Sequence, residues 1–165
     1  MIKQKYLKLS ASVLMVFYCF YYLATLDNWH FIDNADLIIH EAGHFIFYIF
    51  GNFISIAGGS LMQLLIPALF AWYFFQMEQE NSLSVMMYWL AINFFSVGHY
   101  AADAVNMNLP LLGGDNSIHD WNYLLSTLGL LGQTKIVTEL IYFAGMLCIT
   151  AGCYFSCKAF MRKDT

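Results

Sequence analysis

The chain has 165 residues, of which 60% are hydrophobic and 11% charged, with a formal net charge of −4. The length fits one domain, but a soluble domain carries roughly 25% charged residues, so an ordinary soluble fold is excluded. Lys3, Lys5 and Lys8 precede the first apolar run, Lys158, Arg162 and Lys163 stand at the end of the last, and no Lys or Arg stands between Lys8 and Lys135. With so little positive charge to neutralise phosphates, nucleic-acid binding is excluded as well.

Residues 9–26 form the first apolar run. Its basic start and apolar middle look like a secretory signal. The following "YYLATLDNW" offers no small-x-small cleavage site, so the run is expected to stay as an anchor. Residues 34–50 are shorter and charged; Asn34 is the expected N-cap, with Asp36 in the first turn beside the positive helix end. Residues 53–77 are the second long run, with Pro67 an expected kink, and residues 83–102 are the third. The connection then reads "LLGGDNSIHDW". Gly113 and Gly114 permit a tight turn, and Ser117 or Asp120 is expected to cap a short helix over 121–131. Residues 137–160 close the series, with Glu139 near their start.

A bilayer-crossing helix needs roughly 20 apolar residues. The long runs are continuous rather than alternating, which indicates helices and not a barrel. The expectation is an all-α polytopic membrane protein: four transmembrane helices plus two short helices that span or re-enter, forming a single integral membrane domain over residues 1–165. Basic residues at both ends place both termini in the cytoplasm, with the cell (inner) membrane as the bilayer. The number of crossings is then even: four with two re-entrant helices, or six. Cys19, Cys148, Cys153 and Cys157 all lie in apolar runs without a C-x-x-C pair, which points to packed or lipid-facing thiols.

Chemistry enters at "IIHEAGHFIF", where His40, Glu41 and His44 stand inside apolar sequence. Positions four apart share one helix face, so His40 and His44 point the same way, with Asp36 one turn earlier. The pattern H-E-x-x-H lets two imidazoles bind one Zn²⁺ while the adjacent carboxylate takes a proton from water. A strongly polar group at membrane depth costs about 2.5–3.5 kcal/mol on insertion scales. Three such groups together call for a ligand, mutual pairing or water.

"HEAGH" in an apolar helix resembles the site-2 protease family of intramembrane zinc metalloproteases. In that family the motif helix is followed by a glycine-containing membrane-associated stretch and then by a span. Here "GNFISIAGGSLMQLLIP" follows, and Gly58 and Gly59 match the glycine role. The resemblance covers roughly residues 34–121 and is strong at the five-residue motif. It implies a zinc peptidase acting on a membrane protein or peptide, with Glu41 as general base and Gly58–Gly59 presenting an edge for strand addition of substrate. It also implies a third, acidic ligand from a later span, usually in an Asp-Gly pair. This chain has no Asp-Gly pair, so it reads as a small divergent member.

A catalytic zinc takes three protein ligands and keeps one position open. The candidates for the third are His99, Asp103, Asp115, His119, Asp120 and His30. His119 is the favoured ligand, with Asp120 its nearest rival and the alternative reading of Asp120 being a helix cap. Asp103 is expected either to serve in their place or to orient His99 or a metal-bound imidazole. His40 is close to the start of its helix, so His119 must lie near the same membrane face. The four-crossing arrangement satisfies this directly.

Other intramembrane chemistries fit less well. "AGGSL" lacks the G-x-S-G of rhomboid-like serine enzymes, and "LLGGD" lacks the first glycine of the presenilin-like G-x-G-D. Five histidines are too few for the clustered histidines of di-iron lipid oxidases. A haem site gives no role to Glu41. The alternative from a different class is a non-catalytic membrane scaffold or regulator with a structural metal, or haem, site.

Overall fold

A computed structural model describes residues 2–110 and 118–162, with side chains from Lys5 onward. Every regular element among these residues is helical: α1 (Ile2–Ala24), α2 (Phe31–Phe47), α3 (Asn52–Gln76), α4 (Glu80–Ala102), α5 (Asp120–Thr127) and α6 (Thr134–Met161). Short 3₁₀ turns at Tyr48–Phe50 and Leu131–Gln133 join α2 to α3 and lead into α6. The expected turn at Gly113–Gly114, the candidate ligand Asp115 and the candidate cap Ser117 lie outside the described residues.

Among the described residues, three helical stretches are long and apolar enough to cross a membrane: Lys5–Ala24, Asn52–Gln76 and Leu131–Met161. The fourth expected span, residues 83–102, falls in α4, which is long enough but not apolar enough. The reason is its place in the bundle. α4 packs against α1, α3 and α6, and Val85 is its only exposed large apolar residue. A helix enclosed by others faces protein rather than lipid, so it tolerates Ser84, Asn93 and Ser96. By contrast, α1 exposes Leu14 and Phe17, α3 exposes Leu69 and Trp72, and α6 exposes Leu140 and Phe143.

The core follows from this arrangement. Cys19 and Tyr22 of α1, Tyr88, Ala91, Ile92 and Phe95 of α4, and Cys148 and Ile149 of α6 form one buried cluster. Glycines bring α6 close to α4: a Cβ on Gly145 would meet the Phe95 ring at 2.5 Å, and one on Gly152 the Tyr88 ring at 2.5 Å. Pro67 is buried inside α3, which runs unbroken from Asn52 to Gln76.

The first turn of α2 lies earlier than the sequence indicates. His30, not Asn34, is the N-cap, and its main-chain N–H donates to Asp33 Oδ2 at 2.6 Å. Asn34 sits within the first turn, where its side-chain amide donates to the Phe31 carbonyl. The two ends of the bundle are chemically distinct. Lys5 Nζ donates to the Arg162 carbonyl at 2.8 Å, and Arg162 pairs with Glu80, so the starts of α1 and α4 and the end of α6 share one end. The last turn of α4, with α5 and the C-terminal half of α2, forms the other.

Candidate metal centre

α2 lies against α3 with their main chains nearly touching. Gly43 and Gly58 face each other so closely that a Cβ on either would collide with the other's carbonyl. Gly59 likewise gives up its side-chain volume to the His40 imidazole, whose Cδ2 and Cε1 would lie 2.7 Å from a Cβ there. Gly58 and Gly59 are thus mid-helix packing residues. Their main-chain groups are committed to α3, and the expected edge for an added strand is not present.

This close approach seats both motif histidines. His40 is buried, with its Nδ1 3.2 Å from Gln63 Oε1 of α3. His44 Nδ1 lies 2.9 Å from the Ser55 carbonyl, and Ser55 Oγ donates back to the His44 carbonyl at 3.0 Å. The two rings stand edge to face with centroids 4.8 Å apart. Asp36, on the same face of α2, is 2% exposed and accepts the Trp89 indole N–H at 2.9 Å, so it belongs to helix packing rather than to this centre.

α5 brings the third group. The Trp121 indole N–H donates to Ser60 Oγ of α3 at 3.1 Å, the Asp120 N–H to the Tyr100 hydroxyl at 3.1 Å, and Asn122 Nδ2 to the Ala104 carbonyl at 2.8 Å. Thus pinned, Asp120 points Oδ2 at both imidazoles, 3.0 Å from His40 Nε2 and 3.2 Å from His44 Nε2. Burial acts to raise the Asp120 carboxyl, but the imidazoles facing it outweigh that effect and hold it below the usual carboxylate range.

The structure separates the neighbours His119 and Asp120. His119 is the N-cap of α5, its Nδ1 accepting the Asn122 N–H at 3.2 Å. Its Nε2 faces Asp103 Oδ2 at 3.3 Å, and Tyr100 lies against its ring. It is not brought to His40 and His44. Asp103 is the C-cap of α4. Burial acts to raise its carboxyl, and the N–H groups of Asn108 and Leu109, with His119 beside them, outweigh this and hold it below the usual range. His99 lies apart, with Nε2 3.6 Å from Asp27. His30 is also elsewhere, bonded to Thr25 at 2.9 Å. Glu41 is exposed and one residue from His40 on α2.

The donor set fits a zinc ion. One atom from each of His40, His44 and Asp120 lies within 4.8 Å of the other two. Tetrahedral zinc with bonds of 2.0–2.1 Å spaces its donors about 3.3 Å apart, close to the two Nε2–Oδ2 distances. The tautomers agree. A carbonyl only accepts, so His44 Nδ1 carries the proton and donates to Ser55. In the neutral ring Nε2 is then a bare lone pair aimed at a carboxylate oxygen 3.2 Å away. That juxtaposition requires a positive charge between them, either a proton or a metal ion.

Two participants left little trace in sequence reasoning. Gln63 and Ser96 are polar residues inside apolar runs, and that is the signal that marks them. No family model, curated protein or solved structure matches the chain.

Proposed function

We propose that this chain is a membrane-embedded zinc peptidase of site-2 protease type, hydrolysing a peptide bond of a membrane protein or peptide in or beside the bilayer. The observation that carries the reading is the convergence of His40 Nε2 and His44 Nε2 on Asp120 Oδ2, with Nδ1 of His44 committed to a carbonyl acceptor. Three donors match a catalytic zinc with one open position, whereas a structural zinc is closed by four.

In this reading His40, His44 and Asp120 hold the ion. A bound zinc supplies polarisation of the substrate carbonyl and lowers the pKa of water toward about 7. Glu41, exposed and three residues from His44 on the helix surface, accepts the proton of the attacking water and returns it to the leaving amine. His44 is the more open of the two imidazoles, at 26% exposure against 11% for His40, so water and substrate enter from the His44 side.

The proposed setting is the inner cell membrane. α1, α3, α4 and α6 cross it, α2 and α5 re-enter from the outer side, and both termini are cytoplasmic. The adjacency of Lys5 and Arg162 supports an even number of crossings, and the basic termini support the orientation.

Metal analysis of the purified protein tests the site. About one zinc per chain is expected in the wild type and in Glu41→Gln, and little in His40→Ala or Asp120→Ala. Hydrolysis of a membrane-peptide library is expected to vanish in Glu41→Gln although zinc stays. Equal zinc in all four proteins would remove the assignment. Activity retained in Glu41→Gln would leave a non-catalytic metal scaffold.

A further inference from the structure

At the end of the bundle away from the candidate metal centre, a cavity of about 680 Å³ opens between the end of α3, the start of α4 and the end of α6, a size typical of ligand sites. Part of its lining is apolar: Phe74 and Phe75 of α3, Leu83 of α4 and Phe155 of α6, with the Phe75 and Phe155 rings edge to face at 6.5 Å. The rest is charged, by two cations and two anions. Glu80, its side chain 11% exposed, is met by Arg162 Nη1 at 3.0 Å and by Lys158 Nζ at 3.5 Å. Arg162 Nη2 also donates to Glu78 Oε2 at 3.1 Å. Trp72, Tyr73 and Tyr154 are exposed near the same ends of α3 and α6, as in the aromatic belt that marks the headgroup level of a bilayer. Rings on one side and charges on the other, at that level, suit a phospholipid. The balance of charge selects its headgroup. An anionic headgroup would meet two carboxylates, whereas a zwitterion finds a partner for each of its charges.

We infer that this cavity is a binding site for a phospholipid of the phosphatidylethanolamine class. Lys158 donates to the phosphate, Glu78 accepts from the primary ammonium, and an acyl chain starts among Phe74, Phe75 and Phe155. Both polar residues have capacity to spare. Lys158 is 52% exposed and has three donors, one of them directed at Glu80. Glu78 is 76% exposed, and its carboxylate, with about four lone-pair sites, is held by Arg162 through one oxygen. Glu78 also has a φ of +51°, in the left-handed region that glycine adopts most readily, so backbone preference does not account for a glutamate there. A choline headgroup has no N–H to donate, and a glycerol headgroup has no cation. The inference rests on the membrane setting and is independent of the zinc reading.

The test uses the full chain, delipidated in detergent, with bound lipid read by native mass spectrometry. Wild type, Lys158→Gln and Glu78→Gln are titrated with phosphatidylethanolamine, phosphatidylcholine and phosphatidylglycerol of identical acyl chains, and with water-soluble glycerophosphoethanolamine. Arg162 and Glu80, which join α6 to α4, are left intact. In wild type, phosphatidylethanolamine is expected to bind tightest and the soluble headgroup not to be retained. Lys158→Gln is expected to weaken phosphatidylethanolamine about fivefold, the worth of one basic residue at a membrane surface. Glu78→Gln leaves the lining with one net positive charge and is expected to place phosphatidylglycerol ahead of phosphatidylethanolamine. Equal affinity for the three lipids in wild type, or phosphatidylglycerol binding best there, would overturn the inference. So would a soluble headgroup that binds as tightly as the whole lipid, or an equal loss of all three lipids in both variants, which marks packing alone. A lipid-free dimer would assign the cavity to a second copy of the chain instead.

Discussion

At position 59 two local effects oppose each other. Alanine in place of Gly59 favours the helix by about 1 kcal/mol. Its Cβ, however, would lie 2.7 Å from two imidazole carbons of His40, inside contact distance, and overpacking costs about 1–3 kcal/mol. The ring is the part able to move, so Gly59→Ala is expected to retain its helix content while zinc content falls sharply. Circular dichroism beside metal analysis checks both. Residue identity made half the candidate centre legible: His40, Glu41 and His44 announce themselves by spacing. The third donor did not, because His119 and Asp120 are adjacent and both suit a helix start. Which one caps and which turns inward depends on Trp121 reaching Ser60 and on Asp120 N–H reaching Tyr100, contacts made with distant elements. Gln63 was illegible for a similar reason, since its partners come from α2 and α4.

Among the elements, α4 shows how enclosure by other helices lowers the apolarity a helix needs. Hydropathy reports an exposed apolar surface, and α1, α3 and α6 have one. α4 is walled in, and its seam with α6 depends on small residues. Gly145 and Gly152 of α6 receive the rings of Phe95 and Tyr88. Gly152→Val would drive a branched side chain into the Tyr88 ring. The expected cost is about 1–3 kcal/mol, read as a lower midpoint in thermal unfolding of the detergent-solubilised protein. The short elements, α2 and α5, were visible as interruptions in the apolar pattern. Their boundaries shifted because the caps are His30 and His119 rather than Asn34 and Asp120. In each case an imidazole occupies a cap position that sequence preference gives to Asn or Asp.

For the molecule as a whole, the distance between its two ends matters. Arg162 meets Glu80 at the first turn of α4, and the candidate centre meets Tyr100 at the last. Twenty helical residues span about 30 Å, which is the thickness of a bilayer's hydrocarbon core. The Arg162–Glu80 pair and the candidate centre therefore lie at opposite ends of the bundle, about one such thickness apart. In cells carrying Cys157→Ser, a membrane-impermeant thiol reagent is expected to label Asn106→Cys, beyond the end of α4, and to spare Lys158→Cys. The reverse pattern would invert the proposed orientation.

One imidazole of the pair is steered by a side chain and the other by the main chain. Mutation at codon 55 can delete a hydroxyl, but it leaves a carbonyl oxygen in place whatever residue is encoded. Mutation at codon 63 can delete the acceptor itself. Heritable drift in this protein thus has one open handle on its chemistry and one that the genetic code cannot touch.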